Sequence, residues 1–293
     1  MKTILVPTDF SPHALHAMKF AVRMIGDRTD VKLVFFHATE TQVPERTPRN
    51  VYRDLVEYEL TQNWEKLQKI SKKVLKRLGL DDFPFEIDWI VKHGEFLDNV
   101  MDTIVEHQVD LVIIGKSRTN GIKKFFYGSE SADLLEKSSC AVLMVPRKCK
   151  TRKIEKISLA SITLKMSSFF QDLVSFAEFF NAGIEIFHIH DPITDVEAFD
   201  EEGLVRRLKE KYNYENISMS FTEAIESNTA EDIDSYVAHS HPSILSVASY
   251  ERPWYERIFN ASITKTLAFE TEVPLLVLKG KEENAEKENN EKD

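Results

Sequence analysis

An order of apolar segments runs through the first half of this chain and then starts again in the second, and that duplication limits the fold more than any single motif does. In the first half Ile4-Val6, Leu33-Phe36, Phe85-Val91, Leu111-Ile114 and Ala141-Val145 read as short strands. Helical patterns separate them. Ser11-Pro12 reads as an N-cap followed by proline at the first helical position, with Leu15, Met18, Ala21, Val22 and Ile25 at helical spacing and Gly26 as the stop. Val51 to Leu78 reads as a long amphipathic helix of mixed charge, and Gly94 precedes another with Leu97, Val100 and Ile104 on one face. Strands alternating with helices imply βαβ units, right-handed crossovers and a parallel sheet. From about Lys156 the order repeats: Ile157-Ala160 matches the first strand, Phe170-Phe180 the first helix, and Ile184-Ile189 the second strand, with His188 recurring against His37. Ile244-Ala248 then matches the fourth strand and Pro274-Leu278 the fifth. A period near half the chain length means two similar domains, not a solenoid. The expected class is α/β, each domain a five-stranded parallel sheet flanked by helices, with boundaries at 1–147 and 153–280. A short basic linker, RKCKTRKIE, joins them, and the charged tail 281–293 is expected to be disordered.

Composition narrows the function. The 293 residues carry a net charge of −10, which argues against general nucleic-acid binding, because phosphate backbones call for a basic footprint. No apolar run reaches membrane-spanning length, and Thr3 to Val6 already reads as a strand, so no secretory signal is expected. Cys140 and Cys149 make neither a disulfide framework nor a zinc cluster, and a cytoplasmic address is the default expectation. The histidine pairs His188/His190 and His239/His241 tempt a metal reading, but neither has a neighbouring cysteine or HExxH spacing, so satisfied or exposed histidines are expected. No GxSxG elbow, no GxxxxGK[ST] loop and no defensible Ser/His/Asp set is present, and no enzyme activity is expected.

The stretch Asp110 to Ser131, DLVIIGKSRTNGIKKFFYGSES, says most about function. Leu111-Ile114 reads as a strand buried on both faces; Gly115 follows at once, and Gly128-Ser129 opens a helical pattern. A glycine at the carboxyl end of a parallel strand lets a ligand approach the backbone, and a helix N-terminus offers N–H groups and a positive dipole end to a phosphate. Lys116, Lys123 and Lys124 keep the loop cationic. Plainer readings stand beside this one: Gly115 as a tight turn, Ser129 as an ordinary N-cap, and Asp9 capping its own turn through an Asx hydrogen bond.

With the Val6-Pro7-Thr8-Asp9 strand end, the spacing from Gly115 to Gly128-Ser129 and the duplicated element order, the chain resembles the universal stress protein family in its tandem form. The resemblance implies an adenine nucleotide (ATP, ADP or AMP) in the first domain, with Mg2+ as a possible companion. It implies contacts from Pro7, Asp9, Ala38, Gly115, Arg118, Gly128 and Ser129, with Asp9 beside the adenine or ribose and Gly128 and Ser129 donating to phosphate oxygens. Arg118 departs from the family, which has a glycine there; its guanidinium either fills the cradle or replaces a backbone contact with a bidentate one. In the second domain the corresponding positions are Ile162, Ala248, Glu251 and Ala261, with only Ser262 kept, so no nucleotide is expected there. The resemblance further implies a stress-response regulator whose occupancy alters the surface shown to a protein partner, an internal pseudo-dimer built around the last strands of the two domains, and a further homodimer as an option. The alternatives are a ligand-free interaction module with both cradles disabled and, below it, a slow ATP hydrolase.

Overall fold

The computed structural model describes residues 2–80, 84–116, 130–147, 149, 153–161, 169–190, 200–223, 229–249 and 273–279. The chain divides into two compact units, Met1–Thr151 and Arg152–Asp293. In the first, β1 (Lys2–Pro7), β2 (Val31–Thr39), β3 (Glu86–His93), β4 (Leu111–Gly115) and β5 (Ala141–Val145) form a parallel sheet in the order β3-β2-β1-β4-β5. Four helices accompany them: α1 (Pro12–Ile25), α2 (Arg49–Arg77), α3 (Phe96–Glu106) and α4 (Glu130–Lys137). The near-continuous apolar runs of β1, β2, β4 and β5 are buried, the signature of strands covered on both faces.

Local chemistry sets the helix ends. The Ser11 hydroxyl accepts from the Ala14 N–H at 3.2 Å and Pro12 takes the first helical position, so α1 starts there; it stops at Gly26, whose φ of 61° suits a residue without a side chain. The face Ala14, Ala17, Met18, Ala21, Val22 and Ile25 is buried. The long helix α2 is anchored differently. Its buried residues are Leu67, Ser71, Val74 and Leu75, all near its C-terminal end, and two indoles tie it to the edge strand. Trp64 Nε1 donates to the Trp89 carbonyl at 3.2 Å, and Trp89 Nε1 donates to the Ser71 hydroxyl at 2.7 Å.

The second unit winds the same way. β6 (Lys156–Ser161), β7 (Gly183–His190), β8 (Ile217–Glu223), β9 (Ile244–Ser249) and β10 (Leu275–Lys279) form parallel pairs in the order β10-β9-β6-β7-β8, with α5 (Phe169–Phe180), α6 (Glu201–Tyr212) and α7 (Thr229–Ser240). No sequence expectation covers α6, β8 or α7. Edge strand β8 alternates Ile217, Met219 and Phe221 with Ser218, Ser220 and Thr222, and α6 is mostly charged; its boundaries come from Asp200, which accepts from the Gly203 N–H, and from Asn213 in the left-handed conformation.

Hydrogen bonds fix which positions correspond in the two units. The Asp110 N–H donates to the Thr3 carbonyl and the Ser243 N–H to the Lys156 carbonyl, both at 2.9 Å. Thr3 thus corresponds to Lys156 and Leu5 to Ser158, and the strand registers carry this on to Val34 with Glu185 and His37 with His188.

Candidate functional site

The winding places a crevice in the first unit. From β1 the chain passes to β2 and β3 on one side, then crosses to β4 and β5 on the other, so the carboxyl ends of β1 and β4 flank the switch point where open parallel sheets take ligands. Pro7 closes β1 and is buried against its β2 neighbour in register, Phe36. Gly115 closes β4 beside Val145. Ala38 lies near the end of β2, half-buried, paired with Lys92. Pro7, Asp9, Ala38 and Gly115 therefore gather at one end of the sheet. Arg118, Gly128 and Ser129 lie outside the described residues.

The turn after β1 is tightly specified. The Thr8 N–H donates to the Phe36 carbonyl at 2.8 Å; the Thr8 hydroxyl accepts from the Phe10 N–H at 2.9 Å; the Asp9 carboxylate accepts from the Ser11 N–H at 2.9 Å. Asp9 therefore makes the Asx-type bond of the plainer sequence reading, with its side chain half-buried at the crevice. Between them Phe10 adopts φ of 63°, a region unusual for a bulky residue. Its ring is held on two sides: the His37 ring centroid is 4.3 Å away, and the Lys66 ammonium of α2 stands 4.0 Å from the ring centroid, a cation–π distance. His37 Nδ1 donates to the Thr8 carbonyl at 2.7 Å, which fixes the tautomer, since a carbonyl only accepts. Burial holds the His37 imidazole below its usual range; the Thr8 bond and the Asp9 charge act the other way, and Lys66 adds to the depression.

Gly115 has a role that sequence reasoning did not give it. A Cβ there would lie 2.3 Å from the His13 carbonyl oxygen and 2.6 Å from its carbon, so the first turn of α1 rests directly on the bare strand end. The glycine serves close helix–strand packing, and that packing brings the α1 N-terminus to the crevice. His13, beside it, is held below its usual range by burial and by the Arg147 charge, with Asp9 opposing, and its buried Nδ1 has no hydrogen-bond partner among the described residues. Lys116, next along, is largely buried, and its N–H donates to the Val145 carbonyl at 2.9 Å.

Phe10, His37 and Lys66 were absent from the sequence-derived site. The recurrence of His37 as His188 was the signal available for one of them. Lys66 carries none, being 56 residues from Phe10 on a helix rich in lysine. Among the described residues no group of three or more His, Cys, Asp or Glu side chains is arranged to hold a metal ion, and no helix is long and apolar enough to cross a membrane.

The second unit keeps the turn of the sheet but fills the layer beneath its third helix with polar groups. The Ser158 hydroxyl and the Tyr236 hydroxyl are 2.7 Å apart, and the Tyr236 ring stacks on Phe187 at 3.8 Å. Lys156 Nζ lies 3.0 Å from the Glu185 carboxylate and donates to the Ser240 carbonyl at 2.6 Å. Burial pushes the Glu185 carboxyl up, but hydrogen bonds from Tyr236 and Lys156 outweigh it, so the net shift is downward; burial, chiefly, pushes the Tyr236 phenol up to about 12. His188 is buried too, but strand alternation sets it on the opposite face of β7 from Glu185 and Phe187.

Comparison with known proteins bears on the family and the fold. The model of the Universal stress protein family matches residues 1–146. A universal stress protein of Methanocaldococcus jannaschii is 24% identical over 156 residues, which are 50% of this chain and 96% of the relative. An uncharacterized protein of Schizosaccharomyces pombe is 28% identical over 152 residues, 52% of this chain but only 24% of that much longer relative. Among solved structures, a universal stress protein from Archaeoglobus fulgidus has a TM-score of 0.66 at 13% identity, covering 94% of this chain and 98% of that one, a likeness of fold.

Proposed function

Because the chain belongs to the universal stress protein family through residues 1–146, we propose that its first domain binds an adenine nucleotide at the carboxyl ends of β1 and β4, and that occupancy alters the surface offered to a protein partner. The observation that supports this most is the pairing of a half-buried aspartate on a fixed turn with a bare strand end at the switch point. In this reading Asp9 contacts the sugar or base, Pro7, Ala38 and Gly115 shape the slot, and Gly128 and Ser129 donate to phosphate oxygens, with Arg118 adding a guanidinium contact. Mg2+ would offset the charge of a triphosphate. The protein acts as a cytoplasmic stress-response regulator, not as an enzyme. Regulation of this kind needs a ligand that favours one conformation over another.

A ligand-free interaction module is the second reading. It draws support from Asp9 and Lys66, which are both already engaged, one with the Ser11 N–H and the other with the Phe10 ring. Calorimetric titration of the full chain with ATP, ADP and AMP separates the two. Micromolar binding that Asp9→Ala and Gly128→Asp each weaken by about tenfold or more supports the nucleotide reading. No binding up to about 1 mM supports the module. Magnesium-dependent turnover abolished by one crevice substitution would instead reinstate the hydrolase.

A further inference from the structure

Helix α2 presents a second stripe, on the side opposite the one the fold uses. Leu67, Ser71, Val74 and Leu75 turn inward. At about 100° per residue, the opposite side carries Val51, Leu55, Tyr58, Gln62, Glu65, Lys69, Lys73 and Lys76 within an arc of about 80°. All eight are exposed. Val51 at 41%, Leu55 at 40% and Tyr58 at 62% belong to a cluster: among the described residues, five of the six exposed large apolar side chains stand on this helix. Clustered apolar exposure marks an interaction surface where scattered exposure does not. Lys69, Lys73 and Lys76 form no ion pair among the described residues. The stripe is therefore apolar at its first three positions and cationic at its last three.

Chemistry selects the occupant. A second copy fits poorly: parallel pairing sets lysine against lysine, and full antiparallel pairing sets lysine against Val51, Leu55 and Tyr58. An antiparallel contact confined to the apolar end involves three apolar side chains per copy, well short of the roughly 800 Å² per partner of a stable specific interface. An anionic bilayer attracts the lysines but repels Asp54 and Glu65, which border the apolar end, and membrane-surface helices spread cations around an apolar face instead of beyond its end. A helix fits on both counts, because positions recurring at intervals of three and four make a helix–helix seam, and opposite charges fix its direction.

We propose that this stripe docks an amphipathic helix of a partner protein, its own seam apolar over one half and lined with carboxylates over the other. Two synthetic helices of about 25 residues, one with leucines then glutamates along its seam and one with the order reversed, present the complement parallel and antiparallel. One of them binds the full chain in calorimetric titration. The Lys69→Glu, Lys73→Glu, Lys76→Glu triple variant, its fold checked by circular dichroism, binds that peptide about tenfold more weakly or worse, and a peptide with lysines in place of the glutamates recovers the loss. Leu55→Glu weakens both pairings. Failure of both peptides to bind at about 1 mM, or equal binding by the triple variant, overturns the proposal. So does lysine-dependent binding to vesicles of about 30% phosphatidylserine without peptide binding. Self-association that Leu55→Glu abolishes in sedimentation overturns it too.

Discussion

Leu5 and Ser158 hold the same place in the two sheets, as do Val34 and Glu185, yet Leu5 and Val34 belong to an apolar layer and Ser158 and Glu185 to a hydrogen-bonded one. The helices above follow suit. Gln108 and His241, both at positive φ just beyond α3 and α7, align Thr103 with Tyr236. The Thr103 hydroxyl is satisfied within its own helix, donating to the Asn99 carbonyl at 2.6 Å, whereas the Tyr236 hydroxyl reaches down to Ser158. One backbone plan thus accepts two kinds of interior, provided that each is consistent: a lone polar group is costly in the first, and a lone deletion leaves orphans in the second.

Substitutions that move one interior toward the other test that statement. The largest effect is expected from Val34→Glu, which buries an unpaired carboxylate at a fully buried position: a loss of about 5 kcal/mol or more, enough to unfold the first unit. Urea melts in a Trp254→Phe background, where Trp64 and Trp89 report the first unit alone, would detect it; a variant that still melts near the parent midpoint would break the comparison. Next comes Gly115→Ala, expected to cost about 2–3 kcal/mol because its Cβ meets the His13 backbone at 2.3 Å. The second unit has Ala248 at the matching register position, so the two copies do not share this constraint. Tyr236→Phe keeps the stack on Phe187 but leaves the Glu185 carboxylate short of a donor and the Ser158 hydroxyl short of an acceptor, at about 1–2 kcal/mol in the second unit.

Acid should separate the units without any mutation. Burial, chiefly, holds His13, His16 and His37 below the ordinary imidazole range in the folded state, so the unfolded chain binds their protons more readily and the first unit loses stability as pH falls below about 6.5. Glu185 is lowered as a carboxylate, so its contribution is present above about 4.5 and is lost only as pH falls further, through its folded pKa. Urea midpoints at pH 7.5, 6 and 5, read for each unit, should drop first for the unit containing Trp64 and Trp89; equal drops would contradict the assignment. The smallest effect is expected from Phe10→Asn. Relief of the φ 63° conformation and loss of the contacts with His37 and Lys66 oppose each other, leaving a change within about 1 kcal/mol.

Legibility in the sequence followed the strength of local signals. β5 was read to the residue as Ala141–Val145, and α1 was bounded at both ends by Ser11-Pro12 and Gly26, because buried strands and capped helices write themselves in consecutive residues. α6 was not placed, since a mostly charged helix buries too little to show a strong period; β8 was missed although Ile217, Met219 and Phe221 alternate with Ser218, Ser220 and Thr222. At the crevice, the gathering of Pro7, Asp9, Ala38 and Gly115 followed from strand order. The packing reason for Gly115 did not, because it depends on where the backbone of His13 comes to rest. The ring-and-cation arrangement at Phe10 joins three distant segments, and no spacing rule links them.

Twenty-nine residues of α2 extend about 44 Å, whereas the nine residues of β2 beside it cover about 30 Å. The mismatch leaves the helix unevenly held: its C-terminal turns are buried on the sheet, whereas the turns before Trp64 run on past the strand ends with lighter ties, the Thr41 hydroxyl donating to the Glu59 carboxylate at 2.6 Å and the Tyr52 ring 6.1 Å from that of His93. Amide protons of residues 49–63 should therefore exchange with deuterium by brief local fraying, while those of 67–77 wait for the whole unit to open.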